Sequence, residues 1–338
     1  MNAASNESAA RARAEAAQFC QTYGRIRAEI QRVVVGQSAV IDAVLSALFA
    51  GGHVLLEGVP GLGKTLLVRT IGEAIELKFS RIQFTPDMMP ADIQGTTVLV
   101  DVEGGGHELR FQQGPLVANL VLADEINRAT PKTQSALLEA MQEKQITVSN
   151  RTIRLAEPYC VMATQNPIEQ EGTYPLPEAQ LDRFLFKVVV GYPEVDEYLE
   201  IIDRTTSNAV ATAHVASNGP EILKLREVVR QVPVPEHVKR YAVELVVATQ
   251  PGSRFAPPIV NQHVALGASP RAVQGLMLAG KVRALLAQRF AVAAEDVAGA
   301  AHAVLRHRVI VNFQGQAAGT RPDAIVDAVL AHVGAPRA

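Results

Sequence analysis

Two cysteines, Cys20 and Cys160, are all that the 338 residues contain. No disulfide framework can staple such a chain, and no Cys/His spacing in it reads as a zinc site. Cys160 stands in an apolar run, where a thiol serves as a small core residue. Tryptophan is absent, which excludes nothing. No apolar run reaches about 18 residues without a charged or polar break, the length a membrane span requires. The opening Met1-Asn-Ala-Ala-Ser-Asn-Glu-Ser8 lacks the basic-then-apolar pattern of a secretory signal. These absences predict a cytoplasmic protein without membrane insertion. Charge of one sign is also missing: the formal net charge is −2, so nothing global draws the chain to nucleic acid or to an anionic membrane. What remains is ordinary, with 48% hydrophobic and 20% charged residues in a chain long enough for two domains.

One stretch departs from the ordinary. The apolar run His53-Val-Leu-Leu-Glu57 leads into Gly58-Val-Pro60-Gly61-Leu62-Gly63-Lys64-Thr65, and Leu66 opens a helical pattern that runs to Glu73. Strand, glycine-rich turn and helix in that order form the context of a phosphate-binding loop. The glycines let successive N–H groups point into one concavity, and the helix dipole adds positive charge there. Lys64 can reach the terminal phosphates, and the Thr65 hydroxyl can ligate Mg²⁺. An accidental glycine-rich turn is the bland alternative, and the flanking strand and helix argue against it. The chain is expected to bind a nucleoside triphosphate.

A second signal lies at Leu120-Val-Leu-Ala-Asp124-Glu125. An unbroken apolar run suits a central parallel strand, and two acids at its carboxyl end sit where ligands bind in open α/β sheets. Asp124 would hold Mg²⁺ through its water, and Glu125 could take a proton from an attacking water. Alone, the pair could equally cap a helix. A third buried strand, Tyr159 to Ala163, ends in Thr164-Gln165-Asn166-Pro167. The Asn166 amide can orient water beside the γ-phosphate, although a turn residue before proline is its commonest use.

Around these signals the chain divides into an N-terminal helical segment (1–33), an α/β nucleotide-binding domain (34–193) and a helical lid (194–338). Residues 1–8 are expected to fray, and a helix runs from Ala9 to about Val33 on Phe19, Tyr23, Ile26 and Ile30. Two hairpins are predicted, Thr96–Val102 with His107–Gln112 through Glu103-Gly-Gly-Gly106, and Gln145–Val148 with Thr152–Leu155 through Ser149-Asn-Arg151. Gly114-Pro-Leu116 is read as restarting a short helix. Beyond Glu194 strands are expected to vanish, Ala209–Ser217 and Pro251–Pro258 are read as loop, and Ser269-Pro-Arg271 starts a helix with serine at the cap. His302 and His307 do not share a helix face and read as solvated surface.

With these residues in hand, the chain resembles the MoxR-type AAA+ ATPases. The resemblance is carried by GVPGLGKT at 58–65, NLVLADEINRATPKTQSALLEAMQE at 119–143, ATQNP at 163–167, LPEAQLDRF at 176–184 and GASPRA at 267–272. It implies an AAA+ P-loop core, a parallel sheet between helices with two β-hairpin inserts, followed by a smaller all-α lid. It implies ATP and Mg²⁺ as ligands, with Lys64 and Thr65 as the Walker A pair. Asp124 and Glu125 are then the Walker B pair and Asn166 the sensor-1 amide. Arg183 becomes the arginine finger offered to a neighbouring subunit, and Arg271 the sensor-2 arginine. It also implies a ring hexamer acting on protein clients in a chaperone-like way, with a von Willebrand A domain protein as a partner. A slow nucleotide-gated switch, a DNA-directed motor and a metal-chelatase ATPase subunit are the competing readings. Glu125 and Arg183 speak against the first, and the acidic balance speaks against the second. The third stays open at the level of sequence.

Overall fold

The computed structural model describes residues 2–59, 61–102, 106–148, 151–166, 172–207 and 211–334. Pro60, the hairpin tips at Glu103–Gly105 and Ser149–Asn150, Pro167 and the start of the Ala209 loop lie outside these residues. Among the described residues no helix is long and apolar enough to cross a membrane.

Helices α1 (Asn2–Val33) and α2 (Ser38–Ala50) precede strand β1 (Val54–Glu57), and the glycine-rich loop opens α3 (Lys64–Ala74). Next come β2 (Phe79–Gln83), the short α4 (Pro90–Gln94) and the hairpin of β3 (Gly95–Val102) and β4 (Gly106–Gln113). A single 3-10 turn follows β5 (Leu120–Asp124) and leads to α5 (Pro131–Glu143) and the second hairpin, β6 (Gln145–Val148) with β7 (Arg151–Arg154). The strands β8 (Cys160–Gln165) and β9 (Phe186–Val189), with α6 (Glu178–Leu181) between them, complete a five-stranded parallel sheet of order β2-β5-β8-β1-β9.

Why this sheet is buried on both sides follows from alternation along its strands. Successive strand residues face opposite ways. Val54, Leu56, Leu120, Leu122, Cys160 and Met162 enter one apolar core, while Leu55, Val121, Ala123, Val161 and Ala163 enter a second on the other face. A polar residue on either side would be stranded in a core, so the strands can carry chemistry only where they end. The second core is closed by α4, α5 and the foot of the second hairpin, through Ile93, Leu137, Met141 and Ile146. The first is closed by α1, α2, α3 and the C-terminal helices, so α1 is no appendage. Phe19, Tyr23, Ile26 and Ile30 are buried, and Phe19 meets Phe49 of α2 edge-on with ring centroids 5.0 Å apart. The hairpin β3–β4, by contrast, projects from the body with Leu99 and Leu109 paired across it and both exposed.

The remaining helices are α7 (Val195–Thr206), α8 (Gly219–Gln231), α9 (Glu236–Ala248), α10 (Pro258–His263), α11 (Pro270–Leu286), α12 (Ala294–Leu305), α13 (Phe313–Ala317) and α14 (Pro322–Val333). Four local expectations need correction. Helix α1 starts at Asn2 rather than near Ala9. Gly114–Leu116 forms turns rather than helix, because Gly114 N donates to Gln94 O to close the hairpin base. The helical lid contains one small antiparallel ribbon, β10 (Val264–Leu266) with β11 (Ile310–Val311), where no strand was expected. His307, expected on the surface, is buried, and its Nε2 donates to Phe184 O at 3.0 Å.

His53 is buried as well. Val161 N donates to its Nδ1 at 3.0 Å, which leaves Nε2 as the protonated nitrogen donating to Met141 O, also at 3.0 Å. The neutral ring thereby ties β1 to β8 and α5. Burial pushes its pKa down to about 4, and burial beside Arg308 holds His307 well below the ordinary range. An unfolded chain returns both rings to about 6.5 and binds more protons than the folded one below that pH. Stability is therefore full at pH 7 and is lost as pH falls from about 6.5 toward 4, by about 3 kcal/mol for His53 alone at about 1.4 kcal/mol per pH unit. Urea midpoints should drop steadily between pH 7 and pH 5; a midpoint independent of pH over that interval would mean that neither ring is held neutral.

Candidate functional site

The carboxyl ends of β1, β5 and β8 converge on one open pocket of about 220 Å³. Gly58, Gly61, Gly63, Lys64 and Thr65 line it from the loop, Asp124 and Glu125 from the end of β5, and Thr164 and Asn166 from the end of β8. Residues separated by a hundred positions meet here because parallel pairing sets Leu56 beside Thr164, and Leu122 beside Met162. Gly61 and Gly63 have φ of 85° and 72°, values a side chain would resist, and the tight curl they allow aims the start of α3 at the pocket. Lys64 Nζ donates to Gly58 O at 2.7 Å. Burial lowers the Lys64 pKa, and the negative charges of Asp124 and Glu125 oppose that shift.

Two consecutive acids in a continuing strand would point to opposite faces. Here both line one pocket, because Glu125 turns into the left-handed region with φ of 58°. Such a conformation costs on the order of 1–3 kcal/mol for a residue with a side chain, and it persists where surrounding contacts hold it. Those contacts are visible: Glu125 N donates to Thr164 Oγ1 at 2.8 Å, and Thr164 Oγ1 donates in turn to Asp124 Oδ1 at 2.6 Å. Gln83 Nε2 and Arg128 NH1 donate to Glu125 Oε2 at 2.8 and 3.1 Å, and Arg81 NH2 donates to Asp124 Oδ2 at 2.8 Å. The Thr65 hydroxyl and the Asp124 carboxylate offer hard oxygen donors in one place, as a small divalent cation prefers.

Leu62 and Leu66 of the loop face a different space. With Gly61 and Gly63 they border a cavity of about 440 Å³ walled by Val34, Val35, Gln37, Tyr192, Pro193 and Tyr198. Gln37 Nε2 donates to Leu62 O at 2.6 Å and so braces the loop, while its Oε1 is buried without a partner among the described residues. A mainly apolar cavity that shares two glycines with the phosphate pocket can take a planar heterocycle.

Arg183 and Arg271 are not brought to the pocket of their own chain. Arg183 lies against α5, where NH1 donates to Leu138 O at 3.0 Å and Nε is buried without a partner among the described residues. It shares a hollow with Glu139, Glu143 and Gln180. Neither Asp182 nor Glu178 pairs with it, although both are adjacent acids. Arg271, at the start of α11, is half exposed and stands 3.7 Å from Asp182 Oδ2.

Sequence reasoning missed Arg81, Gln83, Arg128, the bridging role of Thr164 and the whole apolar cavity. Arg81 and Gln83 carry one available signal, their period-two spacing on a strand beside the acids. The cavity carries none, because its walls come from three distant segments.

The chain matches the family model of the ATPase family associated with various cellular activities (AAA) over residues 53–186, and the AAA lid domain over residues 257–329. It is 44% identical over 309 residues to Chaperone MoxR1 of Mycobacterium tuberculosis, covering 91% of this chain and 81% of that one. It is 32% identical over 330 residues to Protein MoxR of Methylorubrum extorquens, covering 92% and 94% respectively. A crystal structure of a protein from Cytophaga hutchinsonii, described as a candidate ATPase, superposes with a TM-score of 0.90 at 37% identity, covering 98% of this chain and 99% of that one.

The Thr164 bridge makes a quantitative expectation. Thr164→Val preserves shape but leaves Glu125 N and Asp124 Oδ1 without their shared hydroxyl in a nearly buried place. The loss should be about 1–3 kcal/mol in denaturant unfolding. An unchanged midpoint would show that the bridge contributes nothing to holding the two acids.

Proposed function

This chain belongs to the MoxR family of AAA+ ATPases, and from that premise we propose that it hydrolyses ATP and uses the energy to remodel protein clients in the cytoplasm as a ring hexamer. The observation that carries the reading is the meeting of Lys64, Thr65, Asp124, Glu125 and Asn166 in one pocket, with two arginines held outside it. The amide-lined curl of the loop binds the phosphates, and Lys64 adds a point charge to them. Thr65 and Asp124 would hold Mg²⁺, which when bound neutralises charge on the phosphate oxygens. Glu125 takes the proton of the attacking water while Asn166 orients it. The apolar cavity at Tyr192 and Tyr198 receives the adenine.

Because Arg183 and Arg271 do not line the pocket of their own chain, we assign both to the ATP of the adjacent subunit. An arginine suits this work, being always charged and presenting a fork of donors to the transferring phosphoryl oxygens. The exposed Leu99–Leu109 pair midway along the β3–β4 hairpin gives the ring an apolar contact for a client, and a von Willebrand A domain protein is the partner class we favour. The relative from Mycobacterium tuberculosis bears the name chaperone, which agrees with client remodelling.

Glu125→Gln should bind ATP with unchanged affinity and hydrolyse it about 10²–10⁴-fold more slowly. Turnover at the parental rate would remove Glu125 from the role of base. A mixing experiment tests the shared site. Lys64→Ala subunits cannot use their own ATP and Arg183→Ala subunits cannot supply a finger, so each alone should be inactive. Mixed rings should regain activity at interfaces that keep both parts; rings shown by light scattering to be mixed, yet silent at every ratio, would refute action between subunits.

A further inference from the structure

Arg308 is the most thoroughly bonded guanidinium near either outlying arginine, and it is buried, with 3% of its side chain exposed. All five of its N–H groups find acceptors. Nε donates to Asp182 Oδ1 at 2.7 Å, NH2 to Asp182 O and Phe184 O at 3.1 and 2.7 Å, and NH1 to Leu185 O and Val304 O. Three of those oxygens are main-chain carbonyls of residues 182, 184 and 185, which bracket Arg183. His307 adds a further donor to Phe184 O. The turn that follows α12 thus grips the backbone on both sides of Arg183 without touching its guanidinium. An arginine gives up its hydration so completely only where the fixed fork is filled, and the filled fork then locks the segment.

Asp182 extends the grip to the other outlying arginine. Its Oδ2 accepts from Ser269 Oγ at 2.8 Å and lies 3.7 Å from Arg271 NH1. Ser269 Oγ in turn accepts from Arg271 N at the start of α11. One carboxylate therefore joins the segment that carries Arg183 to the helix end that carries Arg271, and Arg308 supplies the positive charge that keeps that carboxylate in place. Engaged by Arg308, Asp182 leaves Arg183 unpaired on its other side, where Nε is buried without a partner among the described residues.

We propose that Arg308, acting through Asp182, is a positioning residue that fixes Arg183 and Arg271 as one rigid donor face for the ATP of the neighbouring subunit. The inference rests on the reading that these arginines act between subunits. It adds that the turn after α12, far from the phosphate pocket in sequence, sets their geometry. A misplacement of about 1 Å at such a group can cost on the order of 10²-fold in rate. Arg308→Ala should therefore lower turnover about 10²-fold while ATP affinity, measured by titration, stays unchanged.

The direction of rescue separates positioning from damage to the fold. Arg308→Ala subunits keep a complete phosphate pocket and lose only what they offer their neighbour. Mixed with Lys64→Ala subunits, which still present an intact Arg183 face, they should recover activity. Mixed with Arg183→Ala subunits they should not, because no subunit then offers a competent finger. Recovery in neither mixture, or in both, would overturn the proposal, as would parental turnover of Arg308→Ala alone. Should Arg308→Ala fail to fold by circular dichroism, Asp182→Asn enters the same two mixtures with the same one-sided rescue expected and the same outcomes counting against it. The Lys64→Ala with Arg183→Ala mixture is run alongside. Silence there refutes action between subunits and takes the proposal with it; activity there with no rescue of Arg308→Ala refutes the positioning role alone.

Discussion

Parallel strands that are apolar on both faces leave polar chemistry nowhere to go but their ends. Everything in the site follows from that constraint. The strands β1, β5 and β8 bury alternate residues in two separate cores. Their carboxyl ends then present, side by side, the glycine-rich loop, the two acids and the Thr164–Asn166 segment. Register does the assembling, since adjacent parallel strands bring residues together that the chain keeps far apart. The same constraint explains why Arg81 and Gln83 could enter the site from β2. That strand is the sheet's edge, with one long side unpaired, so it tolerates polar side chains near its end.

Local signals were readable in the sequence in proportion to how local their causes are. The phosphate loop, the unbroken apolar runs ending in Asp124-Glu125 and before Asn166, and the amphipathic stripe of α1 all announce themselves within a window of a few turns. What the sequence did not announce depends on distant partners. His307 looks like surface from its neighbours, yet in the fold it is buried against Phe184 O, more than a hundred positions away. The ribbon of β10 with β11 joins three residues to two across more than forty intervening positions, too short a pairing to leave a period. The apolar cavity draws on the α1–α2 connection, the loop and the start of α7, none of which is unusual alone.

Arg183 illustrates the limit of reading neighbours along the chain. Two acids, Glu178 and Asp182, lie within five residues of it, and proximity along the chain alone would offer either as an ion-pair partner. In the fold Asp182 is committed to Arg308 and Ser269, and Arg183 turns instead to a carbonyl of α5. Competition among cations for one carboxylate decides the matter, and that competition is invisible without the third dimension.

The left-handed backbone at Glu125 has one more consequence. A glycine there would relax the strain, and an asparagine would ease it, because both enter that region readily. Either would also remove the carboxylate. Laboratory selection for heat resistance alone should therefore drift away from glutamate at this position, yielding hardier chains that have lost their chemistry. Retention of glutamate under such selection would mark activity as part of what was being selected.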